Sequence, residues 1–344
     1  MEQKFKVPIR NVFCMLSYVN EFPEMVNQLS AVDEALITYD FLAQQFIFES
    51  KRLLRWGILK DYVSHAEETG FISGKMLMNE SLPYIVQKRP VVVCEKDEYS
   101  ANILFNQIMR TTLRALYQNP HIEENTRKEC YVLWEQLTEV DDIYLSRELF
   151  IRIQFARHNV YYKRMIHLAR LLYELKLLSH KQGDWSLFTV EMSETEMNRL
   201  FERFLYHFYR IEQGEYRVRS ERMTWNLTGN QAFLPTMLTD ITLIHRHENK
   251  RIVIDAKFYK NMFQRLYQKN SYHSHNLYQI FTYLMHQPVK ADVRGILIYP
   301  ATDDTEFTEL YEWDERITLE LCSLNLDNSW DKIRSRLISI VFNK

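Results

Sequence analysis

The sequence predicts an α/β protein of the α+β kind, built as a mixed domain of helices and antiparallel strands followed by a C-terminal domain whose elements run αβββαβ. Two observations carry this expectation. Apolar residues recur three and four apart over long segments in both halves, the spacing of helices packed on one face. Between them lie short β-branched runs bounded by turn residues, and in the second half these helices and strands follow one another in that order.

In the first half, "IRNVFCMLSYVNEF" and "VDEALITYDFLAQQFIFESKRLLRWGI" have helical spacing. "DYVSHAEETG", "FISGKMLM" and "PYIVQKRPVVVCE" cluster β-formers between turn residues and predict a small antiparallel sheet or partial barrel. Helices return in "SANILFNQIMRTTLRALYQ", "RKECYVLWEQLTEV" and "VYYKRMIHLARLLYELKLLS", the last leading into the polar stretch "HKQGDWS". In the second half, "SETEMNRLFERFLYHFYRIE" opens with Ser193 and Glu196 at capping-box spacing, and Met197, Leu200, Phe201, Phe204, Leu205 and Phe208 form its stripe. Strands are expected in "EYRVRSERMTWNL", "MLTDITLI" and "RIVIDAKFY", then a helix in "SYHSHNLYQIFTYLMH" and a strand in "RGILIYP". A strand "RITLELCSLNL" and a helix "SWDKIRSRLISIVF" close the chain. The expected division is 1–145, a helical connector 146–189, and 190–344.

Composition narrows the function classes. With 46% hydrophobic and 26% charged residues, 14% aromatics and only 7 Gly, the chain has the makeup of folded domains with large cores. Its formal net charge of -2 means that contact with nucleic acid must come from a local patch or a partner. Cys14, Cys94, Cys130 and Cys322 are scattered with no CxxC pair, which predicts buried reduced thiols in a cytoplasmic protein. No apolar run reaches the ~18 residues of a membrane span. No GxxxxGK[ST] stretch and no zinc finger is present.

The chemistry concentrates in "RIVIDAKFYK", residues 251–260. In a strand, Asp255 and Lys257 share one side while Ile252, Ile254 and Ala256 take the other. A hairpin loop of about four residues at "HRHEN" pairs 244 with 251 and therefore sets Asp240 opposite Asp255 on the same side. A slip of one residue would turn Asp240 away. Two carboxylates are hard ligands suited to Mg²⁺, which keeps several waters and takes one or two protein carboxylates plus phosphate. A neighbouring lysine can orient or deprotonate a water and offset developing charge. That set fits metal-assisted phosphodiester hydrolysis. The alternative is a structural ion pair on an exposed sheet face.

Asp240, Asp255-Ala256-Lys257 and the order αβββαβ together resemble the PD-(D/E)xK nuclease superfamily. Within it, "VPIRNVFCMLSYV", "LPTMLTDITLI", "IVIDAKFYK" and "HSHNLYQIFTYL" resemble the McrC family, nuclease subunits of 5-methylcytosine-specific restriction systems, over nearly the whole chain. Thr239 stands where the superfamily pattern has proline. The resemblance implies that Asp240 and Asp255 hold Mg²⁺ and that Lys257 assists the water. It implies an acidic metal ligand on the first helix, for which Glu202 is the candidate, and a role beside the active site for Gln279. Tyr283 is four residues on, on a face distinct from Leu277, Ile280, Phe281 and Leu284. It further implies that double-stranded DNA is cut only together with an AAA+ GTPase of the McrB type, docked through residues 1–145, whose GTPase the chain stimulates.

Arg217, Arg219 and Arg222, with Lys260, Arg265 and Lys269, are expected to neutralise phosphates around the cleft. His273 and His275, two apart, point different ways on a helix and predict a cap or DNA-facing loop rather than a metal pair. Two other functions stay open: a subunit of a site-specific restriction system whose partner reads unmethylated DNA, and a noncatalytic adaptor of an AAA+ ring.

Overall fold

The computed structural model describes residues 4–29, 38–180, 189–225, 227–230, 232–257, 263–266, 269–301 and 306–342. The chain forms two compact units, one of residues 1–38 and 175–344 and the other of residues 39–174.

The first unit begins with β1 (Lys4–Pro8), α1 (Ile9–Val19) and α2 (Glu24–Leu29). α1 is buried almost all round, and Asn11 donates through Nδ2 to the Leu326 carbonyl at 2.6 Å. That bond ties the start of the chain to its last 20 residues.

The second unit holds α3 (Tyr39–Trp56), β2 (Asp61–Thr69), β3 (Lys75–Met76), α4 (Met78–Val86), β4 (Val92–Ser100), α5 (Leu104–Tyr117), α6 (Glu124–Glu135) and α7 (Arg147–Ile151). α8 (Lys163–His180) begins in it. Its sheet is antiparallel, in the order β2-β4-β3. Residues 83–86, expected in a strand, lie in α4 instead. The buried Ser81 hydroxyl accepts from Val93 N at 2.9 Å, and Leu77 N donates to Val93 O. These bonds seat the segment as a helix against β4, so tertiary contact overrides the β-propensity of Tyr84-Ile85-Val86.

The rest of the first unit comprises β5 (Thr189–Ser193), α9 (Glu194–Glu212), β6 (Tyr216–Arg219), β7 (Arg222–Met223), β8 (Met237–Leu238), β9 (Ile241–His245) and β10 (Lys250–Ala256). After these come β11 (Phe263–Leu266), β12 (Lys269–Tyr272), α10 (Ser274–Met285), β13 (Asp292–Ala301), β14 (Thr308–Glu312), β15 (Ile317–Asn325) and α11 (Trp330–Phe342). β1 pairs antiparallel with β5. The expected boundaries at 145 and 189 therefore differ from the compact units: the N-terminal residues belong with the second half because β1 needs β5 to complete its ladder and α1 packs on α9.

The main sheet runs β14-β15-β13-β10-β9-β6, with β10, β13 and β15 mutually parallel and the other pairs antiparallel. The order αβββαβ is present as α9, β6, β9, β10, α10 and β13, with the short β7–β8 and β11–β12 pairs set between. The capping box of Ser193 and Glu196 starts α9. Phe201, Phe204, Leu205 and Phe208 on its stripe are fully buried, each worth roughly 1.5–3 kcal/mol of transfer free energy.

β10 is covered on both sides, not greasy on one and polar on the other. Ile252 and Ile254 are buried, and so are Val253 and Asp255 on the opposite side. Val253 packs in a cluster with Ile280, Tyr283 and Leu284 of α10. The parallel connection from β10 to β13 runs through α10 and lays it over that face. Gly295 on β13 lets it come close: a Cβ there would meet the Leu284 methyls at 2.8 and 3.0 Å.

Candidate active site

The predicted hairpin register is the observed one: Ile244 opposes Arg251 and Ile241 opposes Ile254. Continuing one residue sets Asp240 against Asp255, where β9 gives way to the turn after β8. The two strands of "MLTDITLI" are separated at this point, because residues 239 and 240 leave the ladder. Thr239 N donates to Glu221 O instead, at 3.0 Å.

Asp255 is wholly inaccessible to solvent, and Lys257 Nζ lies 3.0 Å from its Oδ2. Burial raises the Asp255 pKa most, Lys257 opposes that rise, and the Asp240 carboxyl beside it adds to it; the net is a carboxyl well above the usual carboxylate range. Both Asp255 oxygens and Asp240 Oδ2 are buried without a well-formed hydrogen bond. The ion pair to Lys257 does not satisfy them: one ammonium faces two carboxyls. Buried oxygens left in this state are costly unless something positive joins them.

Glu202 reaches the same place from α9. Its pKa is raised by burial first and then by Asp240, while Asn198 and Lys257 pull it down. Asn198 Nδ2, one turn earlier, donates to its Oε1. The spacing of four between Asn198 and Glu202 is the sequence signal for this contact. Gln279 Nε2 donates to the Tyr283 hydroxyl at 2.9 Å, which donates to Leu238 O at 2.8 Å, two residues before Asp240. Tyr283 therefore does not sit on a face apart from the apolar stripe: it is buried in the α10 cluster, and only its hydroxyl emerges toward the site. Its pKa is raised by burial and, further down, by Asp255 and Asp240.

Among the described residues no group of three or more His, Cys, Asp or Glu is drawn together tightly enough to hold a metal ion. The fit rests on Asp240 and Asp255, whose orphaned oxygens make a two-carboxylate set of the kind Mg²⁺ accepts when water and phosphate complete the shell.

Arg217 and Arg222 are exposed, and Arg219 is ion-paired to Glu221. Lys260 lies outside the described residues; Arg265 and Lys269 lie in the β11–β12 hairpin. His273 is the N-cap residue of α10 but makes no side-chain cap bond, and His275 is exposed in its first turn. All four cysteines are buried thiols outside any disulfide. No helix of the described residues is long and apolar enough to cross a membrane.

Comparison with known proteins gives the family. The family described as "McrBC 5-methylcytosine restriction system component" matches residues 4–300. The chain is 27% identical to "Type IV methyl-directed restriction enzyme EcoKMcrBC" of Escherichia coli (strain K12), over 99% of this chain and 98% of that protein. Its fold is similar to a chain in the refined half-complex from a tetradecameric assembly of Thermococcus gammatolerans McrB AAA+ hexamers with bound McrC. That match has a TM-score of 0.54 at 17% identity, covering 97% of this chain and 76% of the other. The match over residues 4–300 establishes that the chain belongs to the McrBC 5-methylcytosine restriction system component family.

Proposed function

We propose that this chain is the Mg²⁺-dependent DNA endonuclease subunit of a GTP-dependent restriction complex, of the PD-(D/E)xK type, acting in the cytoplasm with an AAA+ GTPase partner. The observation that carries the reading is the solvent-inaccessible Asp255 set against Asp240 and paired with a single lysine, Lys257. A structural ion pair on an exposed face does not require a second carboxyl with a buried oxygen.

When bound, Mg²⁺ held by Asp240 and Asp255 supplies Lewis-acid stabilisation of the phosphate oxygens. Lys257 is held in place by Asp255 and by its own N–H to Ile298 O, at 3.0 Å. Its ammonium orients the attacking water and balances negative charge as the phosphorus becomes five-coordinate. Glu202, beside Asp240, is the third acidic group available to the cation, and Gln279, fixed by Tyr283, orients the nucleophile or a phosphate oxygen.

The partner reading has its own support. The second unit exposes the large apolar side chains of Tyr62, Phe71, Ile72, Ile85 and Val86 on and around β2 and α4, side chains of the kind a partner protein covers. A related assembly carries McrB AAA+ hexamers with bound McrC.

The test is reconstitution with the AAA+ partner, GTP and Mg²⁺ on methylated and unmethylated plasmid. Cleavage of the methylated DNA is expected. Asp255→Asn should cut at no detectable rate, and Lys257→Ala should be slower by about 10²–10⁴-fold, both with partner binding and GTPase stimulation intact. Cutting by both variants at the original rate rejects the assignment; GTPase stimulation with no cutting by the unaltered chain favours the adaptor; preference for unmethylated DNA favours the site-specific system.

A further inference from the structure

Thr239 is fully buried, immediately before Asp240, at the position where the nuclease pattern has proline. All of its polar atoms are engaged. Its N–H donates to Glu221 O at 3.0 Å, its Oγ1 accepts from Glu221 N at 2.9 Å, and its carbonyl accepts from the Ser220 hydroxyl. The same Oγ1 lies 2.8 Å from Thr242 Oγ1. Thr242 opposes Val253 on β10, so one hydroxyl links the β6–β7 turn to the strand that pairs with the Asp255 strand. Glu221 is itself held by Arg251 at 3.0 Å, and Arg251 bonds Gln287 just beyond α10.

This clamp acts on a peptide that needs one. The Asp240 and Asp255 carboxyls repel when both are charged, and Asp240 lies where β9 has left the ladder, so strand pairing alone does not hold it. A proline ring would stiffen the backbone but has no N–H to give Glu221 O and no hydroxyl to bridge Glu221 N and Thr242. We propose that Thr239 is a positioning residue that fixes Asp240 against Asp255 by hydrogen bonding, doing here what ring rigidity does in the proline-bearing pattern. The proposal rests on the reading of Asp240 and Asp255 as a cation site.

The experiment titrates Mn²⁺ into the full chain, followed by electron paramagnetic resonance, with thermal unfolding as the check on folding. Thr239→Val keeps the shape and removes the hydroxyl; it is expected to weaken Mn²⁺ binding by about tenfold, as loss of outer partners of metal ligands does. Thr239→Ser restores the hydroxyl and should bind within about twofold of the original chain. Thr239→Pro should resemble the valine variant, not the serine one. Binding by Thr239→Val equal to the unaltered chain overturns the proposal, as does a serine variant as weak as the valine one. Should the valine variant not unfold cooperatively, Thr242→Val opens the clamp from its other end. An effect of about threefold there supports the proposal and no change overturns it. Asp255→Asn separates the two readings: if it binds Mn²⁺ as well as the unaltered chain, the cation site itself falls. If it loses binding while Thr239→Val does not, only the role of Thr239 falls.

Discussion

Among the described residues, Glu49 of the second unit and Asp255 of the first are the carboxylates with no exposure to solvent, and they are treated in opposite ways. In the second unit, Glu49 of α3 is inaccessible and lies between two guanidinium groups, Arg52 at 2.8 Å and Arg164 at 2.9 Å. In the first, Asp255 is equally inaccessible but has one ammonium and a second carboxyl beside it. A buried acid with surplus cation joins α3 to α8 and has its charge balanced, although neither of its oxygens has a well-formed hydrogen bond. A buried acid with a deficit of cation is incomplete, and on the function proposed above the missing charge is the divalent cation. Charge balance, rather than burial, separates a tie from a site.

That contrast can be broken in several ways. The largest expected effect is on cleavage: Asp255→Asn removes it, whereas Glu49→Gln leaves the cutting chemistry of the folded complex intact, as a plasmid assay on the two variants would show. Stability should respond the other way round. Glu49→Gln leaves two guanidiniums facing each other and should cost about 2–3 kcal/mol in urea unfolding, less than a fully buried pair because both arginines are partly exposed.

Divalent cation should then distinguish the two acids directly. Mg²⁺ or Ca²⁺ at about tenfold above its dissociation constant should stabilise the unaltered chain and the Glu49→Gln variant by about 1.4 kcal/mol, and Asp255→Asn not at all. Equal stabilisation of all three would remove the cation deficit from the account.

The pH dependence follows from the raised Asp255 pKa. Without metal, the folded chain keeps a proton on Asp255 at pH values where the unfolded chain, titrating near 3.8, has lost it. The folded state therefore binds more protons, and its stability falls as pH rises above that value through the raised pKa. Between about pH 5 and about pH 8 the unaltered chain should lose stability that Asp255→Asn retains, flattening the profile; identical slopes would show that burial does not govern this carboxyl. The smallest effect is at Gly295. Alanine there meets the Leu284 methyls, which can shift, and should cost about 1 kcal/mol while loosening the Tyr283 to Leu238 bond. A larger drop in cleavage than in stability would show that α10 sets the position of the site.

Much of the site is legible in the chain order. The period-two alternation of "RIVIDAKFY" sets Asp255 and Lys257 on one side, and the length of the "HRHEN" loop fixes Asp240 opposite, since a hairpin register follows from its loop. The capping box and apolar stripe define α9, and with it the side from which Glu202 approaches. These are local rules, applied over a few residues.

Other features depend on contacts far apart in sequence and leave no local trace. The burial of the Asp255 face comes from α10 crossing between β10 and β13, not from any property of β10 itself. The helix at Tyr84-Ile85-Val86 comes from Ser81 and Leu77 bonding Val93, against the propensity of the residues concerned. The N-terminal residues join the C-terminal unit through β1 and β5, more than 180 positions apart. The sequence by itself determined which side chains could meet, because pleat and turn geometry act between neighbours. Only the tertiary structure decided how little water and how little positive charge surround them, because dielectric and charge balance are set by whatever packs on top.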